Sequence, residues 1–172
     1  MRNILKLFKF KIIAFVVLIS LIPCYKISAN ENNISVNGVD YTISAGEMVF
    51  RGDFYRNNVN LITLMLEGPN IDIDFDMMIP NNTNRLVPGT YRYGSFAPFA
   101  FPYSTTFLYN DISEVTNTFD IRHGTVVVSV AGSGNNAIYT ITIDCALTDE
   151  NGNTAGTIKG TYQGTLAWSE KD

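Results

Sequence analysis

The sequence predicts an all-β fold: one domain built as a single antiparallel meander barrel of about eight to ten strands, with a β-sandwich as the alternative. Three observations predict it. Residues 125–131, 138–147 and 157–168 alternate apolar and polar side chains almost without a break. Helical periodicity is nearly absent after the first 29 residues. Turn-forming residues recur at short, regular intervals between the apolar runs.

The strand candidates follow in chain order. Residues 34–44 are interrupted by Asn37-Gly38, a strong hairpin signal because both positions accept positive φ. Residues 47–55 and 61–67 flank Arg56-Asn57-Asn58. Gly68-Pro69-Asn70 turns the chain into residues 71–79, and residues 80–84 form a polar loop. Pro88-Gly89 leads into residues 90–93, and residues 118–122 precede the three C-terminal runs. On the second of those runs Tyr139, Ile141, Ile143, Cys145 and Leu147 share a face, opposite Thr140, Thr142 and Asp144. On the third, Ile158, Tyr162, Leu166 and Trp168 share a face with Gly160 and Gly164, which implies tight curvature or a close neighbour there. Nearest-neighbour hairpins at this end favour a meander.

Residues 94–109 break the pattern, with six aromatics and two prolines together. Two prolines argue against a central strand. The expected structure is a long loop folded over the open end or edge of the sheet, with Phe96, Phe99 and Phe101 plugging the core. The alternative is an aromatic lip for a sugar, lipid or partner protein, made of Phe96, Phe99, Phe101, Tyr103, Phe107 and Tyr109.

The N-terminus reads as a targeting segment. Arg2, Lys6, Lys9 and Lys11 precede an apolar run over residues 12–22, broken only by Ser20 and ended by Pro23. The run is shorter than the roughly 20 residues a membrane span needs. Ile27-Ser28-Ala29 supplies small residues for cleavage, so a signal peptide over residues 1–29 is expected, leaving residues 30–172 as the domain. An uncleaved anchor is the competing reading. Leu21-Ile22-Pro23-Cys24 also resembles a bacterial lipoprotein box, with Cys24 as the lipidated residue. Either route exports the domain, to the periplasm, the outer-membrane surface or the extracellular space.

Removing the leader changes the charge. It holds five of the twelve basic residues and none of the sixteen acids, so seven bases face sixteen acids in the mature domain, a net charge of −9. Such a surface repels phosphate backbones and excludes nucleic acid as an expected partner. Contact with a membrane is expected only through a lipid anchor. Cys145 is then the sole cysteine, so the fold must rest on its core without an internal disulfide.

Few residues suggest chemistry. Asp72, Asp74 and Asp76 project from one face of a strand, about 7 Å apart in succession. Such a row could bind Ca²⁺, but it lacks the glycine and downstream glutamate of a calcium loop, and a solvated outer face is the preferred reading. His123 is the only histidine and is expected on a turn between two strands. Cys145 lies on an apolar strand face and reads as a small buried hydrophobe. Trp168 is expected to close the core near the C-terminus. No nucleophile elbow, zinc spacing, phosphate loop or dinucleotide fingerprint occurs, so no catalytic residue and no cofactor are expected.

Four segments carry a family likeness: Leu86-Val87-Pro88-Gly89-Thr90-Tyr91, Gly124-Thr125-Val126-Val127-Val128-Ser129, Tyr139-Thr140-Ile141-Thr142-Ile143-Asp144 and Gly160-Thr161-Tyr162-Gln163-Gly164. Through them the chain resembles small exported β-domains of Bacteroidota, of the calycin-like barrel or lipoprotein type. The likeness implies an exported barrel-like domain and transfers no catalytic residue. The expected function is an exported, non-enzymatic binding module holding a small apolar ligand in a β-barrel. The alternative is a cell-surface protein-interaction module (adhesion, inhibitor or assembly component) that uses residues 96–109.

Overall fold

The period-two runs fold as strands of one sheet. In the computed structural model, which describes residues 32–54, 58–94, 96–111 and 114–171, eleven strands form that sheet. They are β1 (Asn33–Val36), β2 (Val39–Thr42), β3 (Ala45–Phe54), β4 (Val59–Gly68), β5 (Ile71–Pro80), β6 (Gly89–Tyr93), β7 (Ala100–Asp111), β8 (Glu114–Ala131), β9 (Ile138–Thr148), β10 (Thr154–Gly164) and β11 (Ala167–Glu170). A single 3₁₀ turn, Gly134–Asn136, separates β8 from β9. Residues 1–29, the expected signal peptide, and Cys24 within them lie outside the described residues.

The all-β class holds, but the sheet is mixed where a purely antiparallel meander was expected. Its order is β11-β3-β4-β5-β7-β6-β8-β9-β10-β1-β2, and the pairs β6–β7 and β11–β3 are parallel. The sheet curls into a half-barrel. Two short connections show how far it curls. Residues 43–44 join β2, at one end of the strand order, to β3, next to the other end, and residues 165–166 join β10 to β11 in the same way. A two-residue link spans at most about 11 Å between the flanking Cα atoms. The two ends of the sheet are therefore drawn together across the open side. Ser44 N–H donates to Glu67 O at 2.8 Å there.

The concave face is filled. Ile71, Ile73, Phe75 and Met77 of β5 are fully buried, as are Tyr91 and Phe101. All five inward residues expected on β9 are buried, Cys145 and Leu147 among them. Asn37 (φ 54°) and Gly38 (φ 83°) make the tight β1–β2 turn that their dipeptide predicts. Gly160 is approached by backbone: a Cβ there would lie 2.4 Å from Asn33 O, so β1 packs against β10 only because that position is glycine.

Three expectations need correction. Residues 100–111 form β7, a central strand between β5 and β6, where a covering loop was expected. Pro102 is tolerated because the ladder breaks around it: Tyr103 pairs with Asp76 and Ala100 with Met78, so Phe101 and Pro102 oppose Met77 alone. That bulge turns Phe101 inward and leaves Tyr103 outward. Residues 118–122 and 125–131 are one strand, β8, bent by a second bulge between Arg122 and Gly124. His123 (φ 62°) and Gly124 (φ 103°) occupy this bulge and form no turn between strands. Finally, residues 157–168 are split at residues 165–166, so that β10 pairs with β1 and β9 while β11 runs beside β3.

The parallel β6–β7 pair has a local cause. Phe99 has a left-handed backbone (φ 63°), donates its N–H to Met78 O at 2.8 Å, and accepts from Arg92 N–H at 3.0 Å. It thereby ties β5 to β6 at the point where the chain reverses into β7. The Phe99 ring rests against Tyr91 (5.4 Å between centroids) and over Gly89, where a Cβ would come within 2.6 Å of it.

Candidate functional site

The structure disperses the six aromatics of the candidate lip. Phe101 is fully buried, with its ring edge-on to Phe75 at 5.6 Å and to Tyr93 at 6.0 Å. Phe96 is half-buried beside a small second cluster of Val59, Met78 and Ala100. Phe99 is 37% exposed and Tyr103 63% exposed. Phe107 and Tyr109 are half-buried on the outer face of β7. Tyr103, Phe107 and Tyr109 share the outer face of β7, but the bulge turns Phe101 inward and Phe99 lies against Tyr91 and Gly89, so the six do not form one continuous surface.

Some of them meet the aspartate row instead. The β5–β7 register sets Asp76 opposite Tyr103, Asp74 opposite Thr105 and Asp72 opposite Phe107. A trough of about 240 Å³ on this outer face is lined by Arg51, Thr63, Asp74, Asp76, Tyr103, Ser104 and Thr105. Arg51 Nε donates to Thr63 Oγ1 at 3.1 Å, and Thr63 donates to Asp76 Oδ1 at 2.8 Å. Tyr109 OH donates to Asp72 Oδ2 at 2.6 Å, which pushes the Tyr109 phenol up to about 12. Two of the three carboxylates are thus occupied by protein donors. Among the described residues no three acidic, histidine or cysteine side chains come together as a metal site.

Asp74 lies between the other two. Its pKa is raised by partial burial and by Asp72, Asp76 and Glu67, against a smaller opposing effect of Arg51. A carboxyl with a raised folded pKa binds its proton more tightly when folded. Stability therefore falls as pH rises from the ordinary carboxylate range through the raised value. Asp74→Asn removes that cost and is expected to stabilise the protein at pH 7 by less than about 1 kcal/mol, given the solvent screening at this site. The gain should vanish near pH 3, below the ordinary aspartate range. Urea unfolding of both proteins at the two pH values tests this, and a gain that persisted at the lower pH would refute the assignment.

Cys145 is buried, donates weakly to Thr125 O at 3.5 Å, and has its thiol pushed up to about 11 by burial. It has the character of a core residue. His123 stands exposed at its bulge, its ring 5.5 Å from that of Tyr93.

A larger concavity lies elsewhere, at one end of the half-barrel where connections converge. It has a volume of about 500 Å³ and is lined by Ser44, Ala45, Gly46, Asn135, Tyr162, Thr165, Leu166, Ala167 and Trp168. Trp168 enters it from β11 while also packing on the core. The indole is held firmly: its Nε1 donates to Asn84 O at 3.2 Å, and the Arg85 guanidinium sits 5.5 Å from the ring centroid. Arg85 Nη2 in turn donates to Asn135 Oδ1 at 2.8 Å, joining the 3₁₀ turn to the wall. Tyr162 OH donates to Thr165 O at 2.7 Å and shapes the floor. Gly46 leaves room for that floor: a Cβ there would fall 2.6 Å from Leu166 Cδ2 and 3.0 Å from the Tyr162 ring, so the Leu166 side chain would have to shift. Among the described residues no acidic or basic side chain lines the cavity.

Sequence reasoning placed Trp168 in the core and missed this cavity, because its walls come from three separate connections. The available signal was the sole tryptophan two residues beyond the Thr165-Leu166 break, where the alternation after Gly164 stops being a single strand.

Fold and site together define an all-β half-barrel with a polar-lined aromatic mouth. Comparisons with protein-family models, curated proteins and solved structures find no match to the chain.

Proposed function

We propose that this protein is an exported, non-enzymatic binding module that takes a small ligand at the mouth of its half-barrel, against Trp168. The cavity of about 500 Å³ at that mouth carries the reading, being within the range of small-molecule sites, about 300–1,000 Å³. The filled core beneath it argues against a ligand enclosed deep inside, so the ligand site moves to the rim. Residues 1–29 are the export signal in this reading, with Cys24 as the alternative lipid anchor. The module works in the periplasm, on the outer-membrane surface or outside the cell, without a cofactor. The likeness to calycin-like exported domains of Bacteroidota belongs to the same proposal, since barrels of that type hold ligands at their open end.

Native mass spectrometry of protein purified from its own cells tests the reading. A small molecule retained one-to-one, and lost in Trp168→Ala, is the expected result. The reading fails if nothing is retained, or if Trp168→Ala keeps the adduct.

One observation favours the interaction-module reading as a second possibility. Tyr103 is 63% exposed, with its ring 5.9 Å from that of Phe96, beside the carboxylates of the outer trough. An exposed aromatic flanked by acidic groups suits a basic protein surface.

A further inference from the structure

We infer that the ligand of the Trp168 mouth is a neutral saccharide. The inference rests on the mouth being a ligand site, and it is argued from the chemistry of the lining. An indole has two flat apolar faces; the Arg85 guanidinium lies over one of them, and the C–H face of a pyranose can lie on the other. Around it stand hydrogen-bonding groups of small, uncharged side chains: Ser44, Asn135, Tyr162 and Thr165. Among the described residues the Thr165 hydroxyl makes no side-chain hydrogen bond, while its carbonyl accepts from Tyr162. Ser44 Oγ already donates to Glu67 O, Asn135 Oδ1 accepts from Arg85 and Tyr162 OH donates to Thr165 O, so a purely apolar guest would strand the Thr165 hydroxyl and the Asn135 amide N–H groups, which a hydroxylated guest can partner.

Charged ligands fit less well. Among the described residues no ionic side chain lines the cavity, so a bound ion would find no counter-charge among them. The nearest cation, Arg85, is already engaged with Trp168, Asn135 and Gly134 O. The excess of acids over bases opposes anions at longer range. What remains complementary is a molecule with several hydroxyls, no charge and one apolar face.

The walls suit such a ligand in a second way. The indole is restrained by Asn84 O and by Arg85, and Gly46 lets Leu166 and Tyr162 close the floor. A platform held before the ligand arrives avoids the ordering cost that a free aromatic side chain would incur on binding.

Trp168 is the only tryptophan, so its emission reports this cavity directly. The full chain is titrated with cellotriose, maltotriose, mannotriose and chitotriose, each to about 10 mM, the range of weak saccharide binding. 1-Octanol serves as the sugar-free apolar probe. At least one trisaccharide is expected to shift the emission saturably, and Thr165→Val should weaken that binding about three- to tenfold, the equivalent of one hydrogen bond, with an unchanged melting temperature. Saturation by octanol alone would overturn the saccharide assignment and leave the mouth as a ligand site. Silence towards every probe would overturn both. Saccharide binding untouched by Thr165→Val would overturn the polar recognition argued here.

Discussion

Phe101→Ala is expected to lower folding stability by about 3–5 kcal/mol, whereas Tyr103→Ala, two residues along the same strand, should change it by less than about 1 kcal/mol. The contrast follows from position. Phe101 is fully buried between Phe75 and Tyr93, and its removal leaves a cavity in the middle of the concave face. Tyr103 is 63% exposed, with its ring 5.9 Å from that of Phe96. Equilibrium urea unfolding of the two variants decides the matter. Similar losses for both would mean that the bulge at Phe101–Pro102 does not reverse the facing of the chain. Residues 96–109 would then be one layer, as the covering-loop expectation had it.

The second large effect is expected at Gly124. Two separate penalties meet there. Its φ of 103° lies in the region that L side chains avoid, and a Cβ would sit 2.3 Å from Asp144 O and 2.5 Å from Cys145 Cα. Both obstructing atoms are backbone of β9, paired to β8 through this point, so neither can swing aside. Gly124→Val should therefore lose about 3 kcal/mol or more, strain and overpacking together. Gly52→Ala is the control, since Gly52 has φ 90° but open space around its Cβ position. It should lose only about 1–2 kcal/mol, from backbone strain alone. Equal unfolding midpoints for the two variants would show that close approach of the strands contributes nothing.

Both predictions fall on bulges, and the bulges are where the sequence misleads. An extra residue in one strand breaks the period of two without ending the strand. His123-Gly124 therefore looks like a turn, and Pro102 looks like the end of strand structure, although each sits inside a long ladder. The aspartate row shows the converse. Its alternation was legible and its outward facing follows from it, but the pairing with Tyr103, Thr105 and Phe107 was not. Register between segments about thirty residues apart is set by packing and by the turn at Phe99, neither of which is local. The Trp168 mouth is less legible still, because it joins Ser44–Gly46, Asn84–Arg85, Asn135 and residues 162–168.

By itself the sequence determined the all-β class, the faces of β5 and β9, the burial of Cys145 and the tight Asn37-Gly38 turn. These depend on side chains a few residues apart and on the backbone preferences of single residues. Only the tertiary structure decided the strand order, the two parallel pairs, the separation of the six aromatics, and the cavity in which Trp168 stands. Those depend on which distant strands share hydrogen bonds, and the strength of a backbone hydrogen bond carries no memory of the residue that supplies it. The choice among pairings is made by the packed core as a whole, through Phe75, Phe101 and Tyr91 fitting together on one concave face.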